Sequence, residues 1–260
     1  MTGVQTCALP ISQTESLLEK LASGKKVNSA ADDAAGLQLI DRLTSELESY
    51  SKGSQNGQDG ISLVQTADAS FSEIGDSVAR IRELTSQAGS GILNASDRQA
   101  IQGQISELTE QISGVVEQAS FAGVDLLKSN GSLGINLGNG DNIDIQTKDV
   151  QTDLNGFGLA GIDVTSSAGA ASALTTLDNI SQYVNTNRSE LGASQNRLDA
   201  GLRNLGNQSE QLAAARSRRQ DTDYAQVTSQ RIRNDILSQS QIAIQGQANL
   251  SRQQAFNLLS

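Results

Sequence analysis

Leu177, Val184, Leu191, Leu198, Leu205 and Leu212 stand at intervals of seven. A heptad repeat held this long predicts one extended helix with an apolar seam, and a seam needs partners of similar length. The complementary positions near Arg188 and Gln195 are polar, so packing against several helices is expected rather than a two-stranded zipper. Two further stretches supply such partners. Val64, Ala67, Phe71, Ile74, Val78, Ile81, Thr85 and Ala88 alternate in steps of three and four, and Gly89 and Gly91 end the run. Ser96 and Gln99 form a capping-box pattern before a third seam of Ile101, Ile105, Leu108, Ile112, Val115 and Ala119. An antiparallel helical pair joined by a short turn follows. Upstream, Leu37, Ile40, Leu43, Leu47 and Tyr50 make another helical stripe, separated from the Val64 seam by a glycine-containing polar stretch.

Aromatic residues are only 3% of the 260, so the core is built from Leu, Ile, Val and Ala, which suits helices packed along their length. Gly123 to Ala173 differs in character. Leu133, Ile135 and Leu137 alternate with small or polar residues, Gly138 to Asp141 supply a turn, and Ile143 and Ile145 resume the alternation, which predicts a β-hairpin. The remainder, rich in Ser, Gly and Asp, is expected to hold short strands and loops with no helical seam. The fold class is mainly α: an elongated antiparallel helical bundle or coiled coil with a small central β-hairpin region.

A formal charge of -10 argues against nucleic acid or an anionic membrane surface as partners. Acidic residues dominate between Asp32 and Glu110, whereas Arg197, Arg203, Arg216, Arg218, Arg219, Arg231 and Arg233 dominate later, which favours pairing within a subunit or between neighbours. With no histidine, triad, Cys-His and HExxH chemistry are excluded. No catalytic, cofactor or metal site is expected, and the protein is read as a non-enzyme. No run has the length of a membrane-spanning helix, and the opening residues do not read as a secretory signal, so export is expected by another route. Met1 to Ile11, holding the sole Met, Cys and Pro, reads as foreign or disordered sequence.

Leu21 to Leu43 reads as a helix end at Gly24, a polar turn, and a helix start capped by Ser29 and Asp32, with Asp32 and Asp33 in the new first turn. The residue order LASGKKVNSAADDAAGL resembles the signature near the amino end of bacterial flagellins. Asn56 to Ala88, FAGVDLL from Phe121 to Leu127, and DTDYAQVTSQ from Asp221 to Gln230 resemble the same family in order and spacing. Ala122 departs from it, standing where the family usually has Asn.

The resemblance implies an amino-terminal helical region at 12–122, a hairpin and loop region at 123–173, and a carboxyl-terminal helical region at 174–260, with little or no outer domain. It implies a subunit that polymerises into the extracellular flagellar filament for motility. The alternatives are a hook-filament junction or other axial protein, and a coiled-coil signalling protein that is never exported. Implied partners are other copies of the chain, an export chaperone, junction and cap proteins, and a vertebrate innate receptor for flagellin. Assembly is expected to use Leu37, Ile40, Leu43, Ile236, Leu250, Phe256, Leu258 and Leu259. Asp221 to Ser260 is too polar to bury much alone and is expected to order only on assembly. The run ARIREL resembles the stretch that the receptor recognises, which makes Arg80, Arg82, Glu83 and Leu84 contact candidates, joined by Gln104 where the family has a glutamate contact.

Overall fold

The computed structural model describes residues 3–138 and 140–259, with side chains described for 13–138, 140–248 and 250–251. The chain runs α1 (Gly3–Ser23), α2 (Ala34–Ala88), α3 (Ala95–Gln118), β1 (Ser120–Phe121), β2 (Val124–Asp125), β3 (Lys128–Asn136), β4 (Asn142–Asp149), α4 (Val150–Phe157), α5 (Ser167–Gln220) and α6 (Tyr224–Leu259), with one 3-10 turn at Leu159–Gly161. Residues 48–208 form one compact unit, and the stretches up to Leu47 and from Ser209 form another.

In the first of these units, the seams of α2, α3 and α5 meet in one core. Ile74, Val78 and Ile81 of α2, Ile105 and Ile112 of α3, and Leu177, Ile180 and Leu198 of α5 are all at most 1% exposed. Each of these side chains, moved from water, contributes about 1.5–3 kcal/mol. The eight predicted positions from Val64 to Ala88 are all buried, Thr85 included, whose hydroxyl donates to the carbonyl of Ile81 (2.8 Å). Polar positions on α5 make ties of another kind: Arg188 donates to Asp68 of α2 (2.9 Å), and Arg82 of α2 pairs with Asp178 of α5 (2.8 Å).

The glycine-containing stretch does not interrupt α2, which is one helix of 55 residues. Its glycines are contact points. A Cβ at Gly53 would lie 1.9 Å from the carbonyl oxygen of Leu137; Gly57 lies under the side chains of Leu202 and Leu137, Gly60 under that of Ile135, and Gly201 of α5 under that of Leu137. The hairpin tip is thereby pressed onto bare helix backbone. Ser49 Oγ donates to the carbonyl of Gly138 (2.7 Å) and Asn56 Nδ2 to that of Asn136 (2.9 Å), which fixes the tip over the notch. The hairpin itself pairs Leu133 with Ile145 and Ile135 with Ile143, as the alternation predicts.

Three local readings are corrected. The capping box of α3 lies at Asn94 and Asp97, two residues before the Ser96 and Gln99 pattern: each side chain accepts the other's backbone N–H. Asn at the cap and Asp at the third position do the same chemistry. Helix α2 is capped by Asp33, which accepts from Gly36 N (2.8 Å), while Asp32 precedes the helix and accepts from the N–H groups of Asn28 and Ser29. The region to Ala173 contains helical packing after all: α4 buries Val150 and Leu154, and α5 already starts at Ser167.

In the other unit, α1 and α6 lie side by side. Gly24, at φ 70°, ends α1 as expected. The polar turn after it is tied to the end of α5 and the start of α6: Lys26 N donates to the carbonyl of Gln220 (2.5 Å), Thr222 N to that of Gly24 (3.0 Å), and the Tyr224 hydroxyl to that of Leu21 (3.2 Å). Expectations for Met1 to Ile11, at the level of side chains, fall outside the described residues.

Candidate interaction surfaces

Helix α6 carries most of its described large apolar residues in the open. Ile232, Ile236, Leu237, Ile242, Ile244 and Leu250 are each more than half exposed. At 100° per residue Ile232, Ile236 and Leu250 share one face, Leu237 and Ile244 a second, and Ile242 a third. A helix that is apolar on several faces is built to be covered from several sides, and α1 alone covers one. The assembly candidates divide accordingly. Ile236 and Leu250 are exposed at 58% each, Leu37 is half-buried, and Ile40 and Leu43 are already buried within the unit. The side chains of Phe256, Leu258 and Leu259 lie outside the described residues. The spacing of Ile242 and Ile244, which matches no single stripe, kept them out of the sequence-based set.

The receptor-contact candidates lie on α2 and α3. Arg80 and Glu83 are exposed and paired with each other, and Arg82 is exposed while paired to Asp178. Gln104 is exposed on α3. Leu84 is different: at 5% exposure it belongs to the core, because its position continues the Ile81 side of α2. It supports this surface from below and cannot itself be a freely presented contact.

Of the arginines between Arg197 and Arg233, only Arg231 has an ion-pair partner among the described residues, Asp235 one turn on (3.7 Å). The inter-helix pairs use Arg82 and Arg188 instead. Of the set, Arg197, Arg203, Arg218, Arg219, Arg231 and Arg233 are exposed and Arg216 is half-buried. The cleft between β4 and α5 encloses about 560 Å³ and is lined by Ile145, Asn187, Leu191 and Arg197 among others. Its Glu190 is paired with Lys148 at 3.8 Å, and nothing there aligns a nucleophile with a base.

Comparison with known proteins accounts for this arrangement. Residues 8–132 match the bacterial flagellin N-terminal helical region and residues 174–259 the bacterial flagellin C-terminal helical region. A flagellin of Halalkalibacterium halodurans is 33% identical over 100% of this chain and 96% of its own length. A protein of Treponema maltophilum, named flagellar filament 30.7 kDa core protein, is 32% identical over 95% of this chain and 93% of its own. The crystal structure of Bacillus cereus flagellin aligns with a TM-score of 0.52 at 26% identity, covering 62% of this chain and 94% of that one. The chain belongs to the bacterial flagellin family.

Proposed function

We propose that the chain is the structural subunit of an extracellular flagellar filament used for motility, polymerising through its terminal helices. The observation that carries this is α6, whose apolar residues are exposed on more faces than its own subunit covers. Burial of half of six such side chains on assembly is worth several kcal/mol, about 1 kcal/mol or more each. Purified chain seeded with filament fragments is expected to elongate, as followed by light scattering and electron microscopy. Ile236→Asp with Ile244→Asp is expected to block elongation while the circular dichroism of the remaining helices persists. A parent chain that never elongates under any seeding condition overturns the reading.

The same reading supplies partners of finer kind. An export chaperone would cover the exposed faces of α6 before secretion, cap and junction proteins would bracket the polymer, and export would proceed without a cleaved leader. Recognition by the vertebrate innate receptor for flagellin would use Arg80, Arg82, Glu83 and Gln104. Gln in place of a glutamate keeps the shape and removes the charge, so a charge-assisted hydrogen bond becomes a weaker neutral one. Receptor activation by monomer should fall with Arg80→Ala and rise with Gln104→Glu. An Arg80→Ala protein as potent as the parent removes that residue from the surface.

A further inference from the structure

The turn between α2 and α3 presents Ile92 to solvent at 94% exposure, more than any other large apolar residue described. The turn is not loose. Arg98 donates through Nε to the carbonyl of Ala88 (3.1 Å) and through Nη2 to that of Ser90 (3.1 Å). The Asn94 and Asp97 capping box closes the other side, and Ser90 N donates to the carbonyl of Gln87 (3.1 Å). An apolar side chain held on a stiff turn has already lost the backbone freedom that docking would otherwise cost.

A matching receptacle lies in the unit made by the chain's end regions. Leu39 and Leu43 of α2 and Ala215, Arg218 and Arg219 of α5 line a groove of about 320 Å³. Its floor is apolar, and the aliphatic stems of the arginines extend its walls. Neither guanidinium has an ion-pair partner among the described residues. The two arginines favour an acidic partner, and residues 48–208, which carry Ile92, hold 19 acidic against 9 basic side chains, whereas the end regions are balanced at 10 of each. Asp97 stands in the first turn of α3, the helix that follows the Ile92 turn. An apolar floor favours a protein knob over a phosphate backbone.

We propose that Ile92 of one subunit seats in the groove formed by Leu39, Leu43 and Ala215 of a second copy. The contact joins two different surfaces, so it is heterologous and propagates from copy to copy. It rests on the filament reading and names one joint within it. Because Ile92 touches little in its own subunit, Ile92→Asp leaves the monomer folded and removes only the knob.

The test uses full-length chain with Cys7 replaced by Ser. Seeded elongation of Ile92→Asp is expected to show a critical concentration raised by about tenfold or more, as for loss of a central apolar anchor. In the second arm, chains carrying Ile92→Cys and chains carrying Ala215→Cys are mixed, polymerised and oxidised. Disulfide-linked dimers containing one of each are expected in polymer and not in monomer. An Ile92→Asp chain that elongates like its parent overturns the contact and leaves the filament reading standing. So do filaments in which oxidation joins only chains of one kind, Ala215→Cys to Ala215→Cys or Ile92→Cys to Ile92→Cys, or joins none. A parent that never elongates overturns both.

Discussion

Ala122 holds φ at 49°, the one non-glycine residue at positive φ among those described, in the two-residue turn that joins β1 to β2. Its neighbour Gly123 adopts φ 82° without cost, whereas an alanine Cβ crowds the carbonyl there. Asn tolerates this region, which gives the departure from the family pattern a physical meaning. Ala122→Asn is expected to raise stability by about 0.5–1 kcal/mol, read as a small rise in Tm. Asp32 makes a second residue-level statement. The N–H groups of Asn28 and then Ser29 hold its carboxylate below the usual range, with the Ser29 hydroxyl and Lys20 (3.8 Å) adding to the effect. A folded value below the unfolded one means that this bond set adds stability above about pH 4 and loses it as the pH falls through the lower folded value. Amide shifts of Asn28 and Ser29 should therefore move with a midpoint below about pH 4, and Asp32→Asn should abolish that movement. The sequence offered Ser29 as the cap, but which of several adjacent Ser and Asp oxygens meets which N–H depends on the turn's path, and the path is set by hydrogen bonds from Lys26 and Thr222 to residues far along the chain.

The seams of α2, α3 and α5 were legible because burial on one side of a long helix leaves a period of 3.6 in the residues themselves. Continuity of α2 through Gly53, Gly57 and Gly60 was not, since glycine both weakens helices and admits close neighbours, and only the tertiary partner tells the two apart. That partner is Leu137, on the hairpin tip. Gly53→Ala drives a methyl into the Leu137 carbonyl and is expected to cost about 1–3 kcal/mol in thermal denaturation. Gly192→Ala in α5, with nothing within 4 Å of the added Cβ, should instead stabilise by about 0.5–1 kcal/mol. The link from α3 to the chain before α5 was equally hidden. Gln102 Nε2 donates to the carbonyl of Ile162 (2.9 Å) while its Oε1 accepts from Val164 N (2.8 Å), so one side chain satisfies two backbone groups of an otherwise irregular segment. Gln102→Leu strands both and should lower stability by about 1–3 kcal/mol, with amide exchange quickened first at Val164. A glutamine in a helical stretch carries no mark of such a clamp in the sequence. The interaction surface was half legible for a related reason: apolar residues on α6 are visible in the sequence, but a seam and an uncovered face differ only in what the rest of the chain places over them.

The formal charge of -10 is not shared evenly: all of it falls within residues 48–208, while the end regions are neutral. In a polymer of identical subunits, like surfaces come close at every repeat, so copies of the acidic unit repel one another. The groove walls Arg218 and Arg219 act in the opposite sense, but two exposed cations are outweighed by ten net negative charges per subunit, and exposed pairs contribute only about 0–1 kcal/mol each. The apolar faces of α6 must therefore supply the attraction, and their strength changes little over moderate salt. Screening weakens both signs of interaction, and because repulsion outweighs the attraction of the two arginines its net effect is to lower the repulsion: the Debye length falls from about 30 Å at 0.01 M to about 8 Å at 0.15 M. Added sodium chloride over that range should then lower the critical concentration for seeded elongation, whereas a filament held mainly by ion pairs would show it rising. Neutralising Glu107, Glu110 and Glu117 on the exposed side of α3 to Gln should reproduce part of that gain at low salt and flatten the salt dependence, since all three are exposed and their loss removes charge without touching the core. An unchanged salt slope in that variant would mean that the α3 face is not among the surfaces that approach one another in the polymer.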